Sequence, residues 1–326
     1  MYQRFYGLRE LPFELTPNPK FLFLTPRHRE ALSNLQFGLS TNKALTVLIG
    51  EAGTGKTTLL KAALESEACR NLRYVCINNP ALTRDEFVEY LANGFDLGPE
   101  AAQSKTAMLN QLEKTLIASR AQGETIALIV DEAQRLSDEL LEEIRLLANI
   151  ETAEQRLLPL VLTGQPELAA RLNTVGLRQL KQRVALRCEI SPFDVSECAS
   201  YISYRIRTAG GEAAKLFTRE AVRLIHERSQ GIARTVSVIC ENALLSGFAL
   251  GIRPVNRQIV HEVCEDFDLN ASNAGQLFTA VPVRDETSGL AASAPGDAGL
   301  SAPLAPEPVV GASGPARKRR LLSIFG

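Results

Sequence analysis

One stretch of this sequence combines glycines, a lysine and a threonine at a spacing suited to binding phosphate. It matches the pattern GxxxxGK[ST] in full and consists of Gly50, Glu51, Ala52, Gly53, Thr54, Gly55, Lys56 and Thr57. The glycines allow successive backbone N–H groups to turn towards a phosphate, and the start of a following helix adds positive potential. We expect Lys56 to reach the β- and γ-phosphates of ATP and the hydroxyl of Thr57 to ligate Mg²⁺. The pattern therefore predicts a phosphate loop that binds ATP through these eight residues and the adjoining Thr58.

Two carboxylates follow the apolar run 126–130, which has the composition of a buried strand. Asp131 and Glu132 would then stand at the C-terminal end of that strand, where open α/β sheets bind ligands. We expect Asp131 to hold the hydration shell of Mg²⁺. Glu132 is the expected catalytic group that polarises the attacking water. An acidic turn after a strand is common, so this assignment depends on the phosphate loop upstream.

Polar residues also end the apolar run 158–163. If this strand lies beside the strand that leads into the phosphate loop, Thr163 or Gln165 would sense the γ-phosphate and its water. The alternative is an ordinary polar turn at a strand end.

A cluster of cations comes next, at Arg178, Lys181 and Arg183. Such a cluster can supply an arginine that stabilises transition-state charge on the nucleotide of a neighbouring subunit. Solvated cations on a helix face are the alternative for each of these residues.

The elements that must position these groups alternate between strand and helix. Helical periodicity separates short apolar runs, and Asp138–Ala148, for example, has an apolar face. This alternation predicts an α/β fold with a parallel sheet buried on both faces and flanked by helices. The predicted strands are Ala44–Ile49, Tyr74–Asn78, Ile126–Val130, Leu158–Thr163 and Leu186–Ile190.

After Pro192 the strand signal stops and only helices are predicted. They span Val195–Thr208, Arg219–Ser229, Arg234–Leu250 and Asn256–Asp266, with Thr218 and Asn256 as N-caps. We therefore predict an α/β nucleotide-binding domain over residues 1–191 and a small all-helical domain over residues 192–270.

The remaining residues, 271–326, have a different composition. More than half of them are Ala, Gly, Pro or Ser, and no apolar periodicity is present. Such a segment buries too little apolar surface to offset its chain entropy, which predicts disorder. It ends in four cations, Arg317–Arg320, followed by the apolar-rich stretch Leu321–Phe325. We expect either solvated charges or a weak contact with an anionic membrane surface or a partner's groove.

Composition excludes several other classes of protein. The chain has 326 residues, a hydrophobic fraction of 45% and a net charge of −1, which is ordinary for a globular protein and gives no global field for a polyanion. The six cysteines are dispersed without a CxxC pair and the three histidines are isolated, so we expect buried thiols in a reducing compartment and no zinc site. Neither a signal peptide nor a membrane-spanning run is recognisable, which predicts a cytoplasmic protein.

The residues as a set resemble a known family, the ExeA/GspA-type AAA+ ATPases of bacterial secretion systems, with a core of the AAA_22 type. The likeness covers about residues 1–267. It begins with Tyr6-Gly7-Leu8, Pro12-Phe13, residues 16–24, His28 and Glu30-Ala31-Leu32, and continues through Gly50–Thr58, Asp131-Glu132-Ala133-Gln134, Leu147–Thr152, Gly164–Leu168, Gln182-Arg183 and Gly231–Arg234.

This resemblance implies an AAA+ core with a helical lid, acting as a homo-oligomer (a ring or a filament) that hydrolyses ATP between subunits. Arg183 resembles the arginine that acts on the neighbouring subunit, and Arg234 resembles the lid arginine that contacts the nucleotide. Residues 1–42 resemble the adenine-side segment. The chain departs from the family pattern at Ala233, where a proline is usual. From this sequence we also expect neither the transmembrane helix nor the peptidoglycan-binding domain of many relatives.

Three functions are compatible with these observations. The leading one is an ATPase that powers or regulates assembly of a secretion, pilus or exopolysaccharide export machine at the inner face of the cytoplasmic membrane. The second is a DNA-associated ATPase resembling transposition regulators, although the near-neutral charge is atypical of a DNA-binding protein. The third is a nucleotide-gated interaction switch, which would not need Glu132.

Overall fold

The computed structural model describes residues 2–16, 18–78, 81–153 and 155–269. The predicted disorder of residues 271–326 and the expected contacts of their basic and apolar end lie outside the described residues, and they stay predictions.

Five parallel strands form one sheet in the order β2-β3-β4-β1-β5. This arrangement, flanked by helices, confirms the predicted α/β class. The strands are β1 (Leu45–Gly50), β2 (Leu72–Ile77), β3 (Thr125–Val130), β4 (Leu160–Gly164) and β5 (Val184–Ile190). β4 begins two residues later than predicted because Pro159 has no N–H to donate to the ladder, although its carbonyl accepts from Leu128 N at 3.1 Å.

Both faces of the sheet are buried, as the continuous apolar runs predicted. Along β1, Val47 and Ile49 point into one hydrophobic core, whereas Leu48 between them points into the core on the opposite face. This alternation is the period of two that a strand imposes on its side chains.

Helices and short 3-10 turns connect these strands and precede them. The helices are α1 (Tyr2–Tyr6), α2 (Pro26–Ser40), α3 (Lys56–Leu64), α4 (Arg84–Gly94), α5 (Pro99–Gln103), α6 (Lys105–Ala121), α7 (Asp138–Leu147), α8 (Pro166–Leu172) and α9 (Arg178–Lys181). The 3-10 turns are Pro19–Phe21, Glu67–Cys69 and Ala133–Arg135.

Within the described residues the chain is helical after β5. The helices are α10 (Val195–Thr208), α11 (Ala213–Leu216), α12 (Arg219–Ser229), α13 (Ala233–Ala249) and α14 (Arg257–Asp266). Thr218 Oγ1 accepts from Ala221 N at 3.2 Å, and Asn256 Oδ1 accepts from Ile259 N at 3.1 Å. Both residues are therefore the N-caps that the sequence predicted.

The first residues of the chain pack against these C-terminal helices. Tyr2, Tyr6 and Phe13 lie in the same hydrophobic core as α10 and α12–α14. Arg205 of α10 lies 6.0 Å from the Phe13 ring centroid and donates to the carbonyl of Glu14 at 3.1 Å. α2, in contrast, packs on the sheet through Leu35 and Leu39. The predicted domain limits stay predictions, but residues 2–21 share a core with the helices of 192–269.

The backbone at Gly231 joins the start of the helical part to the end of α12. Phe193 N donates to the Gly231 carbonyl at 2.9 Å, and His226 Nε2 lies 3.0 Å from the Phe193 carbonyl oxygen. A Cβ at Gly231 would stand 2.0 Å from that oxygen. At this distance, the backbone as it stands leaves no room for a side chain at position 231.

We expect Gly231→Ala to destabilise the fold more than Gly123→Ala. Both glycines have a φ of 73°, so alanine carries a similar left-handed strain of about 1–2 kcal/mol at each. A Cβ at Gly123 meets no atom within 4 Å, whereas the overlap at Gly231 should add roughly 1–3 kcal/mol. Chemical denaturation of both variants measures the difference. Equal losses would show that the contact with Phe193 relaxes without cost.

Candidate nucleotide site

The predicted phosphate loop connects β1 to α3. β1 ends at Gly50 and α3 begins at Lys56, and Gly55 precedes the helix with a φ of 101°, a left-handed value that favours glycine. The first N–H groups of α3 have no partner within the helix, which makes its N-terminus suited to an anion. All nine predicted loop residues lie in this loop or at these two element ends.

Lys56 is directed back into its own loop. Only 4% of the residue is exposed, and its Nζ donates to the carbonyls of Gly50 at 2.9 Å and Glu51 at 3.1 Å. Burial lowers the pKa of the Lys56 ammonium, while the Glu132 and Asp131 carboxylates act in the opposite direction. The ammonium therefore stands among the backbone groups that define the loop.

Asp131 is the point at which three parts of the chain meet. It is 6% exposed, directly after β3. Its Oδ2 accepts from Thr57 Oγ1 at 2.7 Å, and its Oδ1 accepts from Glu132 N at 3.0 Å and from the hydroxyl of Thr163. Carboxylate and hydroxyl oxygens are ligands that Mg²⁺ prefers, so Asp131 and Thr57 fit the predicted cation site.

Glu132 is held by two amide side chains. Its backbone is left-handed at φ 54°, and its Oε2 accepts from Gln134 Nε2 at 2.7 Å and from Gln165 Nε2 at 3.3 Å. Gln134 Oε1 also accepts from Gln165 N at 3.2 Å. These contacts fix the orientation of the carboxylate.

The structure brings both candidates for the γ-phosphate sensor into the site, in different places. Thr163 contacts Asp131, and Gln165 contacts Glu132. Gln134 was not predicted as a site residue. Its position two residues after Glu132 could have indicated a contact with that carboxylate. The contact of its amide with Gln165, at the end of β4, is apparent only from the structure.

Arg234 lies at the outer side of the phosphate loop. Its backbone N–H donates to the Gly53 carbonyl at 3.1 Å, and its side chain is exposed. The start of α13 therefore contacts the loop directly, and the predicted contact of Arg234 with the nucleotide stays a prediction.

Arg183 lies at the N-terminal end of the parallel strands, whereas its own phosphate loop lies at their C-terminal end. It precedes Val184, which pairs with Leu45 at the start of β1, whereas the loop follows Gly50 at the other end. The six residues of β1 separate these two ends by about 20 Å. With Lys43, Arg120 and Arg156, Arg183 lines a cleft of about 460 Å³.

Several known proteins are similar to this chain in sequence. Residues 39–172 match the family model AAA_22, described as an AAA domain. The chain is also 37% identical over 261 residues to general secretion pathway protein A of Aeromonas hydrophila, a match that covers 80% of this chain and 47% of that protein. Residues 39–172 therefore form an AAA domain, and the chain is similar to AAA+ ATPases of the ExeA/GspA type. The predicted resemblance is thereby confirmed.

Two further similarities involve a phage protein and a protein of solved structure. The chain is 28% identical over 196 residues to the ATP-dependent target DNA activator B of Escherichia phage Mu, which covers 59% of this chain and 58% of that protein. It spans about half the length of these two curated relatives. In fold it is similar to the Aeropyrum pernix ORC2 protein, with a TM-score of 0.58, 17% identity and coverage of 78% of this chain and 71% of that one.

The composition led to expectations about the cysteines and about membrane-spanning helices. All six cysteines are free, and five of them are buried, as expected for buried thiols. Among the helices of the described residues, none has both the length and the apolar character needed to cross a membrane.

Proposed function

We propose that this AAA+ protein hydrolyses ATP to power or regulate the assembly of a bacterial secretion, pilus or exopolysaccharide export machine. One observation carries the enzymatic part. The Asp131 carboxylate is hydrogen-bonded to the first turn of the phosphate-loop helix through Thr57 and to β4 through Thr163, with Glu132 beside it. The similarity to a protein named for general secretion supports the cellular part.

The reaction assigns a distinct task to each residue. Thr57 and Asp131 would hold Mg²⁺, which supplies charge neutralisation on the β- and γ-phosphates. Lys56 and the backbone N–H groups of residues 50–58 bind the phosphates. Glu132 orients a water and accepts its proton as the water oxygen bonds to the γ-phosphorus, and the bond from that phosphorus to the β,γ-bridging oxygen breaks. The products are ADP and phosphate.

Part of the site is proposed to come from a second subunit. A separation of about 20 Å is too large for Arg183 to reach the nucleotide of its own chain. In a homo-oligomer with head-to-tail contacts, the end of the sheet that carries Arg183 in one subunit would lie against the phosphate loop of the next. Arg183 would then stabilise the charge that develops on the γ-phosphate, while Arg234 contacts the same nucleotide from the lid of its own chain.

A DNA-associated ATPase is the second candidate, because a match extends over 59% of the chain to a target DNA activator. Binding to a labelled DNA duplex in the presence of ATP, measured across a range of salt concentrations, separates the two. DNA binding would weaken steeply as salt rises, with a slope that counts the phosphate contacts. For an assembly ATPase we expect no such binding at micromolar protein, and a steep slope would favour the second function.

The leading proposal predicts that two site variants fail at different steps. Lys56→Ala should abolish ATP binding, because the lysine contacts phosphate in the ground state. Glu132→Gln should bind ATP yet hydrolyse it about 10²–10⁴-fold more slowly, since an amide cannot accept the proton of the water. Binding of a fluorescent ATP analogue and release of phosphate at saturating ATP measure the two steps.

Glu51→Gln is the matched control, because Glu51 is an exposed carboxylate of the same loop. We expect it to bind and hydrolyse ATP at nearly the wild-type rate. Equal turnover by Glu132→Gln and the wild type would contradict the assignment of Glu132.

A further inference from the structure

His28 connects α2 to the phosphate loop. It is the third residue of α2 and is 4% exposed. Its ring nitrogens face two different groups: Nδ1 lies 2.8 Å from Thr25 Oγ1, and Nε2 lies 3.3 Å from the carbonyl oxygen of Thr54. The ring is therefore inserted between the N-cap of α2 and the loop that is proposed to bind phosphate.

The chemistry of these partners determines where the ring carries its proton. A carbonyl oxygen only accepts, so Nε2 must carry the hydrogen that Thr54 receives. Nδ1 of the neutral ring is then an acceptor, and the Thr25 hydroxyl donates to it. Burial lowers the pKa of His28, which favours this neutral form.

The hydrogen bond to Thr54 also orients the next backbone N–H. A trans peptide unit is planar, with its C=O and N–H pointing in opposite directions. With the Thr54 carbonyl directed at His28, the Gly55 N–H points away from the ring, and within the described residues it donates to no group. Glycine tolerates either orientation of this peptide, so an external anchor is needed to select one.

A second anchor acts on the preceding peptide. The Gly53 carbonyl accepts from Arg234 N at 3.1 Å, so consecutive carbonyls of the loop are bound by α13 and by α2. The His28 ring also packs 5.8 Å from the ring of Phe193, which is itself hydrogen-bonded to Gly231. These contacts limit movement of the imidazole.

We propose that His28 is a positioning residue that holds the Thr54–Gly55 peptide with its N–H directed to the nucleotide phosphates. This inference rests on the proposed ATP binding at the loop. It assigns to α2 a role in nucleotide affinity that is separate from its packing on the sheet.

Two substitutions separate the functions of the two ring nitrogens. The side-chain amide of His28→Gln can replace Nε2 and donate to Thr54, whereas that of His28→Asn can replace only Nδ1 and contact Thr25. We expect His28→Asn to raise the Kd for ATP about tenfold, the effect of losing one positioned hydrogen bond, and His28→Gln to stay within about threefold of the wild type.

Calorimetric titration with ATP and thermal melting of each variant without nucleotide give the required measurements. Equal Kd values for the two variants would overturn the role of His28. So would a rise in Kd that is seen only in a variant whose melting temperature has fallen in proportion. Lys56→Ala is included as a reference. If it also binds ATP normally, the proposed ATP site itself fails; if it loses binding while His28→Asn keeps it, only the inference about His28 fails.

Discussion

Asp131 is a carboxylate almost entirely removed from water, and a buried carboxylate is costly unless donors surround it. Its donors come from three places: the first turn of α3, the end of β4 and the backbone of the next residue. The strand order of the sheet, in which β4 lies between β1 and β3, brings these groups together. The burial of this carboxylate therefore depends on the strand order and on the start of α3. The group has the oxygen chemistry that a bound divalent cation requires.

The phosphate loop is held from its outer side by elements that are remote in the sequence. α2 reaches the loop through His28, and α13 reaches it through the backbone of Arg234. Residues 2–21 share their hydrophobic core with the C-terminal helices. The two ends of the described chain thus share one core, and α13 connects this core to the loop through its first turn.

The sequence predicts the fold and the site best where the determinants are local. The phosphate loop, Asp131 and Glu132 were predicted because their residue types follow recognisable strands, and α10 and α12 have the predicted limits because Asp194 and Thr218 cap their starts. Gln134 and His28 were not predicted as site residues, since their roles come from contacts across 26 to 31 positions of sequence. The position of Arg183 far from its own loop depends on strand register, which no local pattern contains.

The proposed role of Arg183 requires a nucleotide site that is shared between subunits, and mixing two inactive variants tests this most directly. Arg183→Ala keeps its phosphate loop but lacks the arginine, whereas Lys56→Ala keeps the arginine but lacks the loop lysine. Random mixing in equal amounts should restore roughly a quarter of the wild-type ATPase activity. In about that share of head-to-tail contacts, an intact phosphate loop from Arg183→Ala faces an intact arginine from Lys56→Ala. Arg178→Ala, which changes a nearby arginine of α9, should be active alone. No recovery, although native mass spectrometry detects mixed oligomers, would contradict the shared site.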